Sequence, residues 1–533
     1  MRMFLVMIVG MMVGGMLGKG PAAAAPGKGT PPAEGAGWRQ PLLDLVRADT
    51  PGAQAAALDR VLAGAPSCAE LRDALRTLVF PPLPRGYQAF SLPGRDGKAR
   101  PWLLHVPASY RPSRPTPLLV VLHGGVSWED VATATLQAWA EADPLARLGR
   151  ERGWLLLYPF GQDGAAWWDE IGQDAVLRQI REVKRLANVD DDRVWLAGFS
   201  DGAGGALALA MLHPGEFAAV VACHGHPALA HLDGHLPLRL PMLANTPCLL
   251  VSADDDEFFP VDKMRPLVEM AARAGADLTW REIPGRHRFP DEVADHRRLV
   301  EFLERHPRDP VPPRLVCEAE NPAWGRCHWL AIDEITAAPA APWAEDFNPI
   351  TRQEAVNFHF IADERFRGPG VRAQRVFPDS LCAHLGMQKG DVLTALAGRP
   401  IRTPADLAAA KATLQAGTDL ELTVRRAGQT VTLRGRLPDP TLAFVFDRAG
   451  PAATVRARAV GNRLHLETSR AGRLRIFLHP DLVNPDRPLT VIADGRTVFT
   501  GQVAPDPAYL LRDYLARRDR RRLYEAEIVL DDL

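Results

Sequence analysis

Four stretches of this chain, taken together, hold the residues that an acyl transfer needs. The one the others serve is Gly198-Phe199-Ser200-Asp201-Gly202, entered by the apolar run 194–197 and left through the helix-prone run 206–210. A strand that turns into a helix through Gly-x-Ser-x-Gly puts the serine hydroxyl at an exposed, strained apex. The two glycines sit where side chains would collide across so tight a turn. Serine is a weak nucleophile at neutral pH, so it needs a base, and the base needs an acid to orient it. Downstream, the run 248–252 delivers Asp254-Asp255-Asp256-Glu257, and the run 278–283 delivers Pro284-Gly285-Arg286-His287. Upstream, His123-Gly124-Gly125 follows the run 118–122. A glycine-rich turn there leaves the Gly124 and Gly125 N–H groups, with that of Asp201, to receive an oxyanion. We read His123 as shaping the turn, not as a base.

These stretches need a scaffold that holds them at one edge. Apolar runs at 102–106, 118–122, 154–158, 194–197, 218–223, 248–252 and 278–283 alternate with helical patterns. One such pattern spans 174–186 and puts Val176, Ile180 and Val183 on one stripe. The alternation predicts an α/β fold, a doubly wound and mostly parallel sheet with helices on both faces, ending near residue 307. Every candidate above then lies at the C-terminal end of a strand, where such sheets carry their sites.

In these stretches, residues 85–308 resemble the α/β-hydrolase superfamily. The resemblance is strongest to secreted esterases of the polyhydroxybutyrate-depolymerase and feruloyl or acetyl-xylan esterase type. It rests on 118–125, Tyr158-Pro159 with Trp167-Trp168-Asp169, 189–205, 256–260 and 285–290. It implies Ser200 as nucleophile, His287 as base, and a small or polymeric ester as substrate. The family's acid stands four residues before a proline, which points to Asp256 among the three adjacent aspartates. Trp167 and Trp168 either line the substrate pocket or pack as a loop. His224 and His226 fall at the same sheet edge as Ser200 and are too few for a metal site. No cofactor and no metal are expected, since no Cys-x-x-Cys occurs and the cysteines lack ligand spacing. Amide cleavage by the same parts stays open.

The catalytic pattern accounts for less than half of 533 residues, a length that suggests roughly three or four domains. Net charge −1 and 47% hydrophobic residues describe an ordinary globular balance, with no overall pull toward nucleic acid. Residues 1–25 read as a secretory signal: Arg2, an apolar run, then the small residues 22–25. Its removal leaves no membrane span and implies a secreted or periplasmic protein. Residues 26–39 read as a linker and 40–84 as a short helical segment, with a capping box at Ser67-Cys68-Ala69-Glu70. The basic cluster Arg517-Arg518-Asp519-Arg520-Arg521-Arg522 is expected to be a solvated face behind a helix.

Residues 350–440 follow a different pattern, with a strand at 371–376, Gly386-Met387-Gln388-Lys389-Gly390-Asp391, and a helix capped at Thr403-Pro404. This block resembles PDZ domains of bacterial envelope proteases. The resemblance implies a groove for peptide C-termini, with the carboxylate loop at Val356, Asn357 and Phe358. Peptide binding and a purely structural block both remain open, as does a scaffold protein acting mainly through it. Around the block, 311–345 and 446–533 are expected to pair into one split β domain. A hairpin of 314–319 with 326–332 would set Cys317 opposite Cys327 as a candidate disulfide in an exported chain.

Overall fold

The computed structural model describes residues 37–533, apart from 127, 129, 233, 290–292, 353–357, 359, 379 and 532. The signal reading at 1–25 lies outside the described residues. Eight strands form the main sheet: β1 (Gly86–Pro93), β2 (Ala99–Val106), β3 (Thr116–Leu122), β4 (Leu155–Pro159), β5 (Val189–Phe199), β6 (Ala219–Cys223), β7 (Cys248–Ala253) and β8 (Leu278–Ile283). Their order is β1-β2-β4-β3-β5-β6-β7-β8. From β4 to β8 every pairing is parallel, and β1 and β2 run antiparallel at one edge.

Alternation along each strand splits the core in two. Leu118, Val120 and Leu122 face the helices Glu170–Leu186, Asp201–Leu212 and Val261–Arg273, whereas Leu119 and Val121 face Pro144–Glu151 and Val293–Arg305. Strands buried on both faces explain the unbroken apolar runs. β5 lies in the middle of the sheet, so the turn that leaves it has neighbouring strand ends on both sides.

Beyond residue 310 the chain builds two further sheets and a separate block. A five-stranded sheet runs Arg496–Gly501, Leu489–Ala493, Arg463–Ser469, Ala453–Val460, Arg314–Ala319, and a four-stranded one Arg326–Cys327, Leu330–Ile335, Ala471–Leu478, Ala526–Asp531. Strands from before residue 336 therefore pair with strands from after residue 452 in both sheets. The expected hairpin is corrected. Pro322–Trp324 forms a 3-10 turn that carries the chain from one sheet to the other, so Arg314–Ala319 and Arg326–Cys327 do not share a ladder. Cys317 and Cys327 are free buried thiols, bonded to Gly325 O (3.1 Å) and Val316 O (3.3 Å). The apolar core of the two sheets is continuous with one face of the main sheet.

Residues 358–437 close around their own core of Val371, Leu393, Leu422 and Val424, among others. The strands Phe360–Ala362, Val371–Val376, Val392–Leu396, Asp419–Arg426 and Gln429–Arg436 form its sheet. The antiparallel pair Pro349–Arg352 and Thr441–Phe444 leads into and out of it.

The arginine cluster is not a solvated face, and this too is a correction. Arg517, Arg518, Arg520 and Arg522 are all under a tenth exposed. Arg520 bonds Asp191 (3.2 Å) and Asn188 (2.8 Å), and Arg522 pairs with Glu216 (2.5 Å). Asp519 receives Arg308 at 2.6 Å, and Arg518 donates to the carbonyls of Val46 and Ala48. Asp191 and Asp192 lie at the start of β5 and Glu216 follows the helix Asp201–Leu212, each more than 300 residues before the arginine it meets, so local composition could not reveal them. The C-terminal helix Pro507–Arg517 also shares a core with the N-terminal helices Arg39–Arg47 and Cys68–Arg76.

Candidate active site

Ser200 stands between β5 and the helix Asp201–Leu212 with φ +55° and ψ −121°, a conformation that L-residues rarely adopt. The two glycines of the motif make it possible. A Cβ on Gly198 would lie 2.1 Å from Gly202 O, and one on Gly202 would lie 1.9 Å from Leu122 O. The Ser200 N–H is held by Cys223 O at 2.9 Å, which fixes the apex to the neighbouring strand β6.

His287 reaches this apex from the loop after β8. Its Nε2 is 2.9 Å from Ser200 Oγ, and its Nδ1 lies 2.9 and 3.1 Å from the two oxygens of Asp256. Asp256 comes from the loop after β7 and is 4% exposed. Its Oδ1 also accepts the Phe258 and Phe259 N–H groups at 2.9 and 2.8 Å. Burial raises the carboxyl pKa, but those N–H groups and His287 together hold it below its ordinary value. The group is therefore an anion at neutral pH. An ionised acceptor on Nδ1 fixes the tautomer in which Nε2 is free to take the serine proton. Of the three adjacent aspartates, Asp256 makes this contact, while Asp254 accepts the Gly285 N–H and closes the two loops on each other (2.9 Å).

Sequence reasoning missed a second histidine on the same carboxylate. His224 Nδ1 lies 3.3 Å from Asp256 Oδ2, in a side chain with no exposed surface. Burial lowers its pKa, so it is neutral and donates Nδ1–H. Its φ of +57° places it just past the end of β6, and this left-handed turn aims the ring at Asp256 instead of at solvent. His226 accepts the Ala228 N–H at 2.9 Å, at the start of the helix Ala228–Leu232. Among the described residues, His224, Asp256 and His287 are also the three side chains close enough to hold a cation. The Asp256 carboxylate already bonds both imidazoles.

The glycine-rich turn lies against the apex: a Cβ on Gly124 would be 3.0 Å from Ser200 Cβ. As the first residue of its helix, Asp201 has an N–H with no partner inside the helix. The Gly125 N–H donates to the Asp201 carboxylate at 3.0 Å. The expected oxyanion donor is therefore engaged by a neighbouring anion. His123 is a strut, with Nε2 accepting the Gly161 N–H (3.1 Å) and Nδ1 donating to Gly124 O (2.9 Å). Burial lowers its pKa and keeps it neutral, as that pattern requires.

Trp167 does not line a pocket. It is 1% exposed and donates Nε1–H to His123 O at 2.9 Å, so it supports the glycine-rich turn from beneath. Trp168 is half-buried against the same core. The exposed aromatic rings come from the loops themselves: Phe258 is 68% exposed with its ring 4.9 Å from that of His287, and Trp128 is 53% exposed three residues after Gly125. Of the candidate peptide-binding positions, Val356 and Asn357 lie outside the described residues. Phe358 is buried in the core of its block.

Residues 163–295 match the dienelactone hydrolase family, which takes in Ser200, Asp256 and His287. The chain is 28% identical over 107 residues to the acetylxylan esterase A of Aspergillus oryzae and to the probable acetylxylan esterase A of Aspergillus flavus. Each match covers 18% of this chain and 35% of the relative, so the chain spans about a third of these curated relatives. Among solved structures, a thermostable esterase aligns at 22% identity over 42% of this chain and 63% of its own, with TM-score 0.34. A ferulic acid esterase aligns at 19% identity over 41% and 98%, with TM-score 0.33. The first half of the chain thus carries an α/β-hydrolase-like unit similar in sequence to hydrolases, esterases among them.

Proposed function

We propose that the chain is a serine hydrolase of carboxylic esters, working through an acyl-enzyme. The observation that carries this reading is the unbroken relay Ser200 Oγ, His287 Nε2, His287 Nδ1, Asp256, every link at 2.9 Å. Ser200 attacks the ester carbonyl as its proton passes to His287 Nε2. Asp256 stabilises the imidazolium, and the Asp201 N–H receives the developing oxyanion, joined by that of Gly124 and by that of Gly125 once it leaves the Asp201 carboxylate. His287 then protonates the leaving alcohol, and water repeats the sequence to release the acid. The exposed rings of Phe258 and Trp128 supply an apolar rim for the acyl or alcohol group.

In the same reading, residues 350–440 form a PDZ-like module and 311–345 with 446–533 a split β domain around it. The separate core of 358–437 and the pairing across the insertion support this. The signal-like N-terminus supports export. The decisive experiment is labelling of the full chain with a fluorophosphonate, then turnover of matched aryl esters and anilides. Labelling is expected at Ser200, with ester turnover lost by about 10⁴-fold or more in Ser200→Ala and His287→Ala. Near-native turnover in either variant overturns the relay, and faster anilide than ester turnover makes the protein a peptidase.

A further inference from the structure

The outer face of the five-stranded sheet has an arrangement that folding alone does not favour. Arg314 and Arg458 stand directly opposite on the adjacent strands Arg314–Ala319 and Ala453–Val460, and His465 is the next residue across. Like charges directly opposite on antiparallel strands destabilise a sheet. Both arginines are exposed, and among the described residues neither has an ion-pair partner. Two residues along on the same face, Arg456 meets Glu467 at 3.8 Å and lies 4.5 Å from the ring of Trp343. The Asp494 carboxylate is taken up by the N–H and hydroxyl of Thr468. Arg314, Arg456 and Arg458 share this face with Glu467 and Asp494, so the face keeps a small excess of positive charge, concentrated at the unpaired Arg314 and Arg458. It floors an open groove of ≈ 830 Å³, with Trp343 among the residues that line it.

We propose that this groove binds an acidic polysaccharide, a chain of uronate-bearing sugars. The argument is independent of the chemistry at Ser200. Guanidinium groups pair with carboxylates through two parallel hydrogen bonds, and Arg314 and Arg458 offer two such forks side by side. The half-exposed indole of Trp343 supplies an apolar surface for a sugar ring, and His465 and Glu467 offer polar groups to its hydroxyls. A peptide fits this face less well. Peptides add to sheets through an exposed strand edge, and here the outer edge of Arg314–Ala319, the last strand of the sheet, is taken by the Asn245 side chain, which bonds the Val316 N–H (3.1 Å) and carbonyl (2.7 Å). A membrane surface fits less well because the cations line a concavity. Placed on the same folded body as the hydrolase unit, the groove would keep an esterase on a polymer whose carboxylates lie between its ester groups.

The test uses full-length Ser200→Ala protein, so that no ester chemistry intervenes. Binding is measured by calorimetry and affinity electrophoresis with polygalacturonate, neutral xylan, poly-glutamate and anionic phospholipid vesicles. Polygalacturonate alone is expected to bind. Arg314→Ala/Arg458→Ala and Trp343→Ala should each weaken it by about tenfold or more, with weakening in high salt. Arg425→Ala, an exposed arginine of the 350–440 block, should leave it unchanged. Unfolding midpoints establish that each variant is folded. No polygalacturonate binding, or equal binding by the double arginine variant, overturns the proposal. Equal or tighter binding of poly-glutamate or vesicles overturns the assignment to sugars.

Discussion

In the proposed reaction, the hydrogen bonds around Ser200 divide between those that activate the nucleophile and one that competes with the product of its attack. The Gly125 N–H, one of the expected oxyanion donors, is held by the Asp201 carboxylate at 3.0 Å. A fixed negative charge beside a developing oxyanion opposes it most strongly where water is excluded. Asp201→Asn keeps the acceptor oxygen and removes the charge, so kcat for a neutral aryl ester should rise by roughly threefold to tenfold. A fall in kcat would instead make the carboxylate a support for the Gly125 turn. His224 acts through Asp256 and not on substrate, so its effect belongs in the pH profile. Its N–H draws charge from the carboxylate that faces His287. His224→Asn, a residue that tolerates the left-handed backbone at φ +57°, should move the acid limb of kcat/KM upward by about half a pH unit to one. A lower rate with an unmoved limb would reduce His224 to packing. Neither role was visible in the residue types. His224 was legible only as a histidine beyond a strand, because the positive φ that turns it inward is a property of the folded loop.

At the level of elements, the sequence carried the strands because burial on both faces leaves an unbroken apolar run, and the site because each loop follows such a run. It misjudged elements whose environment comes from far along the chain. Arg314–Ala319 and Arg326–Cys327 read as a hairpin, since nothing local says that a 3-10 turn crosses between sheets. The arginines at 517–522 read as solvated because their acids lie at Asp191, Asp192 and Glu216. Their burial has an energetic consequence. Arg308 and Arg522 both lie within ion-pair reach of Asp519, and all three are under a tenth exposed. Removing one partner of a buried ion pair leaves the other uncompensated, at a cost of about 3–5 kcal/mol. Asp519→Ala should therefore lower unfolding stability in urea by that amount, whereas Asp531→Ala, which breaks an exposed pair with Arg473, should cost less than about 1 kcal/mol. Equal effects of the two substitutions would show that the cluster does not clamp the C-terminal segment.

Across the whole molecule, one core runs from the main sheet into the two later sheets, while residues 358–437 keep a core of their own. Limited proteolysis should therefore excise about 350–440 and leave the flanking parts together through their shared sheets, and dissociation of the flanks would contradict that. Acid should act on the continuous part. His213 ends the helix that Ser200 begins, and its ring packs at 5.3 Å on that of Trp324, from the turn between the two later sheets. His328 lies against Gly215, where a Cβ would come within 3.0 Å of its ring. Burial pushes His213 down to about 4 and His328 to about 3. A histidine freed by unfolding takes up its proton near pH 6.5, so between that value and the folded one the unfolded chain binds more protons. Stability is then fully present above about pH 6.5 and falls as pH drops toward 4. The unfolding temperature of the full chain should decline by several degrees from pH 7 to pH 5. His328→Asn, which suits the backbone at φ +49°, should flatten part of that slope. A midpoint that stays level over this range would mean that these histidines are hydrated, and that the junction between the hydrolase-like unit and the β sheets is looser than its packing.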